Sequence, residues 1–509
     1  MNRKRLIVTS VISIILMSIL FIGSTYSIFT TTEIDENQNV YTTGNLDITY
    51  TLSSDNVKLE DITPTSIEDS IYIKPYRITV TNSGSVPYQF SVALKDTTAS
   101  NKIDATHIMA QVGKLKPISL TNDQTNIIQN EIVVLPNSSI DIDVRVWLSN
   151  NIPNSEIGKN FYARLFIDGL ATYTETNNIN NDILIAEYKE PILASTHVIN
   201  LYNDTSNIKS VNISNDLTRP IVYLNEVQGI MLDNNAEYRY YGENPNNYIS
   251  YNNELWRIIS VSNVKSNTSS NKSDTRVKII KADILKDDNN LSAYSYDSSN
   301  EKVNTGNGLN DWSQSDLMNE LNNLYYNSQA GNCYIDKNDK VTECSFKNTG
   351  LKDDAKNLIA DVVYNLGGVK ETAELLYAND YYTYEKGSNV NNCTKEECGS
   401  TRNTTWTGKI GILYPSDYLY ASDLSICTND TTKYNDCRTN NWLKTDNNEW
   451  TITPIIDYVD QGFMIQNNNL TYEYNMSIPS TLRPVAYLKP NVSIVDGKGT
   501  ELEPYILKN

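Results

Sequence analysis

Two histidines, six cysteines and a surplus of carboxylates bound the chemistry open to this chain. His107 and His197 lie far apart and share no motif, so most triads, imidazole general bases and His-rich metal sites are excluded. The cysteines fall in the C-terminal half as Cys333 and Cys344, Cys393 and Cys398, and Cys427 and Cys437. Zinc would need thiolates in C-x2-C-like knuckles with histidine support, which the sequence lacks. Three local disulfide loops are the simplest pairing, with free buried thiols the alternative. Carboxylates are plentiful enough for a hydrolase working through an Asp/Glu pair, yet no spacing nominates one. The loop Asp287-Asp288-Asn289-Asn290 offers the oxygen ligands a hard cation takes, but a solvated loop needs no ion to explain it. Trp256, Trp442 and Trp450 read as core packing, with a stacking platform for sugar as the sharper alternative. Neither a catalytic residue nor a cofactor or metal site is nominated.

The 509 residues leave room for two to four domains at about 100–200 residues each. Lys and Arg total 42 against 61 Asp and Glu, a net charge of −19, which disfavours nucleic acid and anionic lipid as partners of the surface as a whole. The 35 tyrosines fit strand propensity and an AT-rich coding bias, and alternatively an aromatic binding surface.

Arg3, Lys4 and Arg5 precede an apolar run from Leu6 to Ile22, and Gly23-Ser24-Thr25-Tyr26-Ser27 supplies the small residues a signal peptidase reads. Residues 1–27 are expected to direct export, with cleavage after Ser27. The alternative is an uncleaved anchor over residues 6–22, at the short edge of the roughly 17–25 residues that span a bilayer. In either case the protein is placed at the cell surface or outside the cell, with export machinery and signal peptidase as its first partners.

The elements that must position any site follow from periodicity. Tyr76, Ile78 and Val80 alternate with Arg77, Thr79 and Thr81; Asn82-Ser83-Gly84-Ser85 turns the chain; Phe90, Val92 and Leu94 resume the pattern. Ile140, Ile142, Val144 and Val146 alternate with Asp141, Asp143 and Arg145, and Phe161, Ala163, Leu165 and Ile167 follow suit. Residues 28–174 are therefore expected to form an antiparallel β-sandwich. Residues 175–232 read as a linker with short strands, and residues 233–509 as a loop-rich α+β domain. Within the latter, Leu255–Val261 and Val277–Lys281 look like paired strands. Ser313 is placed to cap a helix carrying Leu317, Leu321 and Leu324. A second helix is expected from Leu351 through Leu358 and Val362 to Leu366, ending at Gly367-Gly368. Ala378 to Arg402 reads as a polar insertion.

Two resemblances sharpen this outline. Thr25-Tyr26-Ser27-Ile28-Phe29-Thr30, then Thr43-Gly44-Asn45-Leu46-Asp47-Ile48, and the Tyr76–Asn82 strand followed by Gly84, resemble the TasA and camelysin family of exported Gram-positive proteins. That resemblance implies a jelly-roll-like sandwich and, for some members, self-assembly into matrix fibres. The protease label of camelysin-like members is not carried over, because the chain lacks HExxH. Glu254-Leu255-Trp256-Arg257-Ile258, Asn441-Trp442-Leu443, Trp450 with Pro454, and Arg483-Pro484-Val485 resemble a module of Firmicutes surface proteins with a C-type-lectin-like fold. It implies structural roles for Trp256, Trp442, Trp450, Pro454, Arg483 and Pro484, and loops that present a ligand site.

The combined expectation is a non-enzymatic exported protein acting in adhesion or in recognition of a glycan, matrix or host-surface ligand. A matrix-fibre subunit and a secreted hydrolase are the alternatives. Alkylation of the unreduced full-length protein should label none of the six cysteines; labelling of all six, read by intact mass, would overturn the disulfide reading.

Overall fold

The computed structural model describes residues 46–509 apart from 55, 61–63, 157, 171–180, 205–207, 213–220, 267–271, 300–306, 371–376, 387–401, 427–438 and 474. The protein is mainly β and divides into two compact units, Met1–Glu190 and Pro191–Asn509. Residues 1–27, expected to direct export, Ser27 itself and the first part of the motif that resembles TasA lie outside the described residues.

In the first unit the alternating segments form two antiparallel sheets. One has the order Ile48–Leu52, Tyr76–Asn82, Ser138–Leu148, Ile108–Val112, Ile118–Ser119; the other has Asn56–Leu59, Phe161–Leu170, Tyr88–Asp96, Thr125–Val134. Their apolar residues enter one core: Ile78, Val80, Ile142 and Val144 from the first sheet, Val57, Phe90, Val92 and Leu165 from the second. The Asn82 turn shows why its sequence is suited to the corner. The buried Asn82 side chain accepts from Gly84 N (2.9 Å) and donates to Val86 O (2.8 Å), satisfying the backbone where the ladder stops.

Strand Ser138–Leu148 departs from the half-buried pattern that its alternating charges suggest, because Asp143 and Arg145 are buried as well. Asp143 accepts both Nε (2.8 Å) and Nη2 (2.9 Å) of Arg77 and the backbone N–H of Ala186, while Arg145 Nε donates to Ile73 O. The helix Asn181–Leu184, in the stretch expected as linker, packs on this unit through the fully buried Leu184. The rest of that stretch belongs to the second unit. Ile192–Leu193, Ile208–Asn212, Ile221–Asn225 and Ile230–Leu232 are strands of its large sheet, and the helix Ala194–Asn203 buries Val198 and Tyr202 in its core. The first segment carries a helix and the second short strands and a helix, both with core residues, and the two units meet between 190 and 191.

The second unit is organised around strand Glu254–Lys265. It pairs antiparallel with Tyr248–Tyr251, Tyr238–Tyr240 and Ser273–Lys281. Ser273–Lys281 passes the sheet on to Val485–Tyr487 and then to Ile410–Gly411. Smaller antiparallel sheets surround it: Glu449–Pro454 with Gly462–Gln466 and Asn469–Glu473, Val362–Asn365 with Thr405–Gly408, and the hairpin Ala330–Asp336 with Lys340–Ser345. The last is closed by the disulfide Cys333–Cys344; the other four cysteines lie outside the described residues.

Three local expectations are corrected. The first helix is capped by Ser315, whose Oγ accepts from Met318 N (3.1 Å), while Ser313 caps nothing and bonds back to Asp311. That helix runs over Asp316–Asn319 and widens into a π-helical turn at Glu320–Tyr325. The second helix is confined to Asp353–Leu358, because Val362–Asn365, rich in β-branched residues, pairs with Thr405–Gly408 instead. Gly368 is required for another reason than stopping a helix. A Cβ there would sit 2.2 Å from Ile456 Cγ2 and 2.8 Å from Pro454 O, where Val369 N reaches that same carbonyl. Finally, Ala378–Glu385 is a helix with Tyr381 and Glu385 buried, so the start of the expected insertion belongs to the core.

Trp450 is fully buried, donates its indole N–H to Tyr294 O (3.0 Å) and begins a line of ring contacts through Tyr296, Trp312, Trp406 and Tyr364 to Tyr487, each 5.3–5.9 Å from the next. Trp450→Ala should lower the stability of the second unit by about 3–5 kcal/mol, measured by urea unfolding. A loss below about 1 kcal/mol would mean the ring is not anchored as described.

Candidate functional site

The second unit carries a buried ion network whose members come from four separate segments. Helix Pro415–Tyr420 begins with Pro415 in its first turn, where a missing N–H costs nothing, and Asp417 reaches back to the Tyr414 N–H (3.4 Å). From there Asp417 Oδ1 accepts from Arg239 Nη1 (3.0 Å), with Lys386 Nζ at 3.8 Å, while Oδ2 accepts from Lys278 Nζ. Arg239, on strand Tyr238–Tyr240, also donates to Asp233 Oδ2 (2.7 Å) and to Glu237. The short loop before that strand is made by the same acids: Asp233 Oδ1 accepts from Asn235 N and Glu237 N, with Ala236 at φ +60°.

Aromatic rings wall the network. Lys278 Nζ lies 4.4 Å from the Tyr414 ring centre, Lys386 Nζ 4.7 Å from the same ring and 5.0 Å from Tyr382, and the Arg239 guanidinium 4.7 Å from Tyr420. Burial alone would lift the Asp417 carboxyl, but Lys278, Lys386 and Arg239 outweigh it and hold that group well below the usual carboxylate range. The Glu237 carboxyl, likewise opposed by burial, is held down by Arg239 and Lys386. Burial pushes the Lys278 ammonium down to about 8 despite Asp417. Glu385, one residue before Lys386, is pushed up to about 7 by burial. Its Oε1 accepts from Ser416 N (3.2 Å) and its Oε2 has no hydrogen-bond partner.

A cleft of about 430 Å³ opens against this network, within the roughly 300–1,000 Å³ of small-molecule sites. Glu237, Tyr382, Lys386, Tyr414 and Tyr487 form one side. Ser262, Asn263, Val264 and Lys265 from the end of the central strand, and Val363, Asn365 and Thr405 from the neighbouring pair of strands, line the remainder. Tyr382 is held in place by donating to Glu237 Oε1 (3.0 Å), and Tyr414 by donating to Asn365 O (2.8 Å). Among the described residues Glu237 is the one carboxylate lining this cleft, and its strong pairing with Arg239 makes it an orienting group rather than a proton donor.

The residues singled out from the sequence sit elsewhere in the same unit. Trp256 is buried and donates to Glu254 (3.0 Å); Trp442 is buried, donates to Tyr240 O (2.8 Å) and covers the Arg257 guanidinium at 4.5 Å. Arg483 pairs with Glu449 through Nε and Nη2 and also reaches Leu443 O (2.8 Å), joining the Trp450 strand to the Trp442 segment. Pro454 ends that strand with its carbonyl on Val369 N, and the Pro484 carbonyl accepts from Lys281 N. The acidic loop is a staple: Asp288 accepts from Ser345, Asn348 and Thr349, and Asp287 from Asn289, Leu291 and Ser345. Among the described residues no three His, Cys, Asp or Glu side chains converge as a metal site would require, and no helix is long and apolar enough to cross a membrane.

Sequence reasoning missed Lys278, Glu385, Lys386 and Asp417. Lys278 had a signal: it interrupts Val277-Lys278-Ile279-Ile280, and a lysine inside an apolar strand needs a buried partner. No family model, curated protein or solved structure matches the chain.

Because the Glu385 carboxyl is raised in the folded state, folded protein binds more protons than unfolded between about pH 4.5 and 7. Its contribution to stability is present below about 4.5 and is lost as the pH rises to about 7. Glu385→Gln should therefore flatten the fall in melting temperature across that window; an unchanged slope would mean that Glu385 titrates normally.

Proposed function

We propose that the protein is an exported cell-surface or extracellular binding protein, non-enzymatic, whose second unit recognises a polar ligand of carbohydrate type in the cleft beside the Asp417 network. The observation that carries this reading is the lining: tyrosine rings, amides and hydroxyls, backed by charges that already neutralise one another. A sugar ring offers C–H faces to aromatic rings and hydroxyls to amide and hydroxyl partners, and needs no net charge from its site. Tyr382 is partly exposed on the wall and is fixed by Glu237, so it can present its face without first losing rotamer freedom.

The hydrolase alternative asks for two carboxylates with separated proton affinities. Asp417 and Glu237 are both held in the ionised form by cations, which suits orientation better than proton transfer. Export is supported by the basic and apolar N-terminus and, more weakly, by the Cys333–Cys344 bond. In this reading the first unit is a TasA/camelysin-like jelly-roll stalk and the second a C-type-lectin-like head. Assembly into fibres is a second reading for the first unit, favoured by the edge strand Thr125–Val134 with its exposed Ile127.

Full-length protein on a glycan array should retain a restricted set of neutral oligosaccharides. Tyr382→Ala should weaken the best of them at least about tenfold, near 1.4 kcal/mol, in isothermal titration. An array without binders, or a Tyr382→Ala protein that binds as the parent does, would overturn the assignment of the cleft.

A further inference from the structure

We propose that, once the second unit has folded, Lys278 and Asp417 become joined by an intramolecular amide bond between Nζ and Cγ, formed with loss of one water. The two side chains are 1 % and 0 % exposed, and Lys278 Nζ already donates to Asp417 Oδ2. They are 139 residues apart in the chain, so the contact is imposed by the fold: one partner sits mid-strand in Ser273–Lys281, the other in the first turn of helix Pro415–Tyr420. Two reactants held in this way react as if at an effective concentration of about 10⁵–10⁸ M.

The surroundings supply what condensation requires. The rings of Tyr414 and Tyr487, 4.4 and 5.6 Å from Nζ, keep the pair from water, where the neutral amide gains most over two ions. Arg239 at 3.0 Å and Lys386 at 3.8 Å both address Oδ1, so they polarise the carbonyl and receive the negative charge that develops on Oδ1 as nitrogen adds to carbon. Oδ2, facing Lys278, is the oxygen that leaves.

The step balances. The ammonium passes one proton to Oδ2, leaving an amine and a carboxylic acid. The amine nitrogen then adds to Cγ, its second proton passes directly to the departing Oδ2 that faces it, and the Cγ–Oδ2 bond breaks. Ammonium and carboxylate thus become one secondary amide and one water. The product keeps the network neutral, with Arg239 and Lys386 facing Asp233 and Glu237. Neither an oxidant nor a cofactor takes part.

The test is peptide mapping of the full-length protein after reduction and alkylation. The expected result is a branched peptide joining the segments that contain Lys278 and Asp417, one water lighter than their sum, with trypsin failing to cut after Lys278. Cleavage after Lys278 together with a linear Asp417 peptide of full mass would overturn the proposal, whatever any variant does.

Discussion

Moving Arg239, Lys278, Lys386, Asp233, Glu237 and Asp417 out of water would cost several kcal/mol per ion if each were alone. They are tolerated because each cation meets a carboxylate oxygen at hydrogen-bonding or ion-pair distance, and because tyrosine rings occupy the directions left over. This requirement for mutual neutralisation is a constraint on the whole second unit. The loop at Asp233–Glu237, the central sheet at Arg239 and Lys278, the helix ending at Glu385 and the helix starting at Pro415 must all arrive together. Truncating any one member leaves a buried charge unpaired, so the network selects one arrangement of elements against others that would bury similar apolar area.

The cleft inherits its character from that constraint. Tyr382 and Tyr414 are wall residues because their hydroxyls are committed to Glu237 and to the Asn365 carbonyl, and Lys386 is at the rim because its charge belongs to Asp417. A site built this way is stiff. Its polar lining is supplied by Asn263, Asn365 and Thr405 on strands that are paired elsewhere, so ligand contact and sheet pairing draw on different groups of the same residues.

The alternating strands of the first unit were legible because period-2 hydrophobicity survives wherever one sheet face is solvated. The same signal understated Ser138–Leu148, since Asp143 and Arg145 look like surface residues until Arg77, Ala186 and Ile73 are seen to satisfy them. The Trp and Arg motifs were read as structural; in the second unit Trp256, Trp442 and Trp450 are buried and Arg483 pairs with Glu449. The cleft was not legible, because its determinants, Arg239, Lys278, Glu385 and Asp417, are single residues scattered over nearly two hundred positions with no local spacing to join them. Helical spacing from Leu351 to Leu366 misled for a related reason: Val362 and Val363 obey a pairing with Thr407 and Gly408 that no local window contains.

At one edge of the large sheet, Ile192–Leu193 pairs with Ser493–Asp496, and Tyr505–Lys508 lies beside that. The beginning of this unit is therefore completed by its end. Glu254–Lys265 can zip onto the neighbouring Ser273–Lys281 early, yet helix Ala194–Asn203, whose first N–H bonds to Val492 O, needs a segment almost three hundred residues further along the chain. Until then Val198 and Tyr202 lack part of their packing, and contacts of such long sequence separation form slowly. Until those distant segments meet, the folding unit is vulnerable to proteases and to association with its own copies.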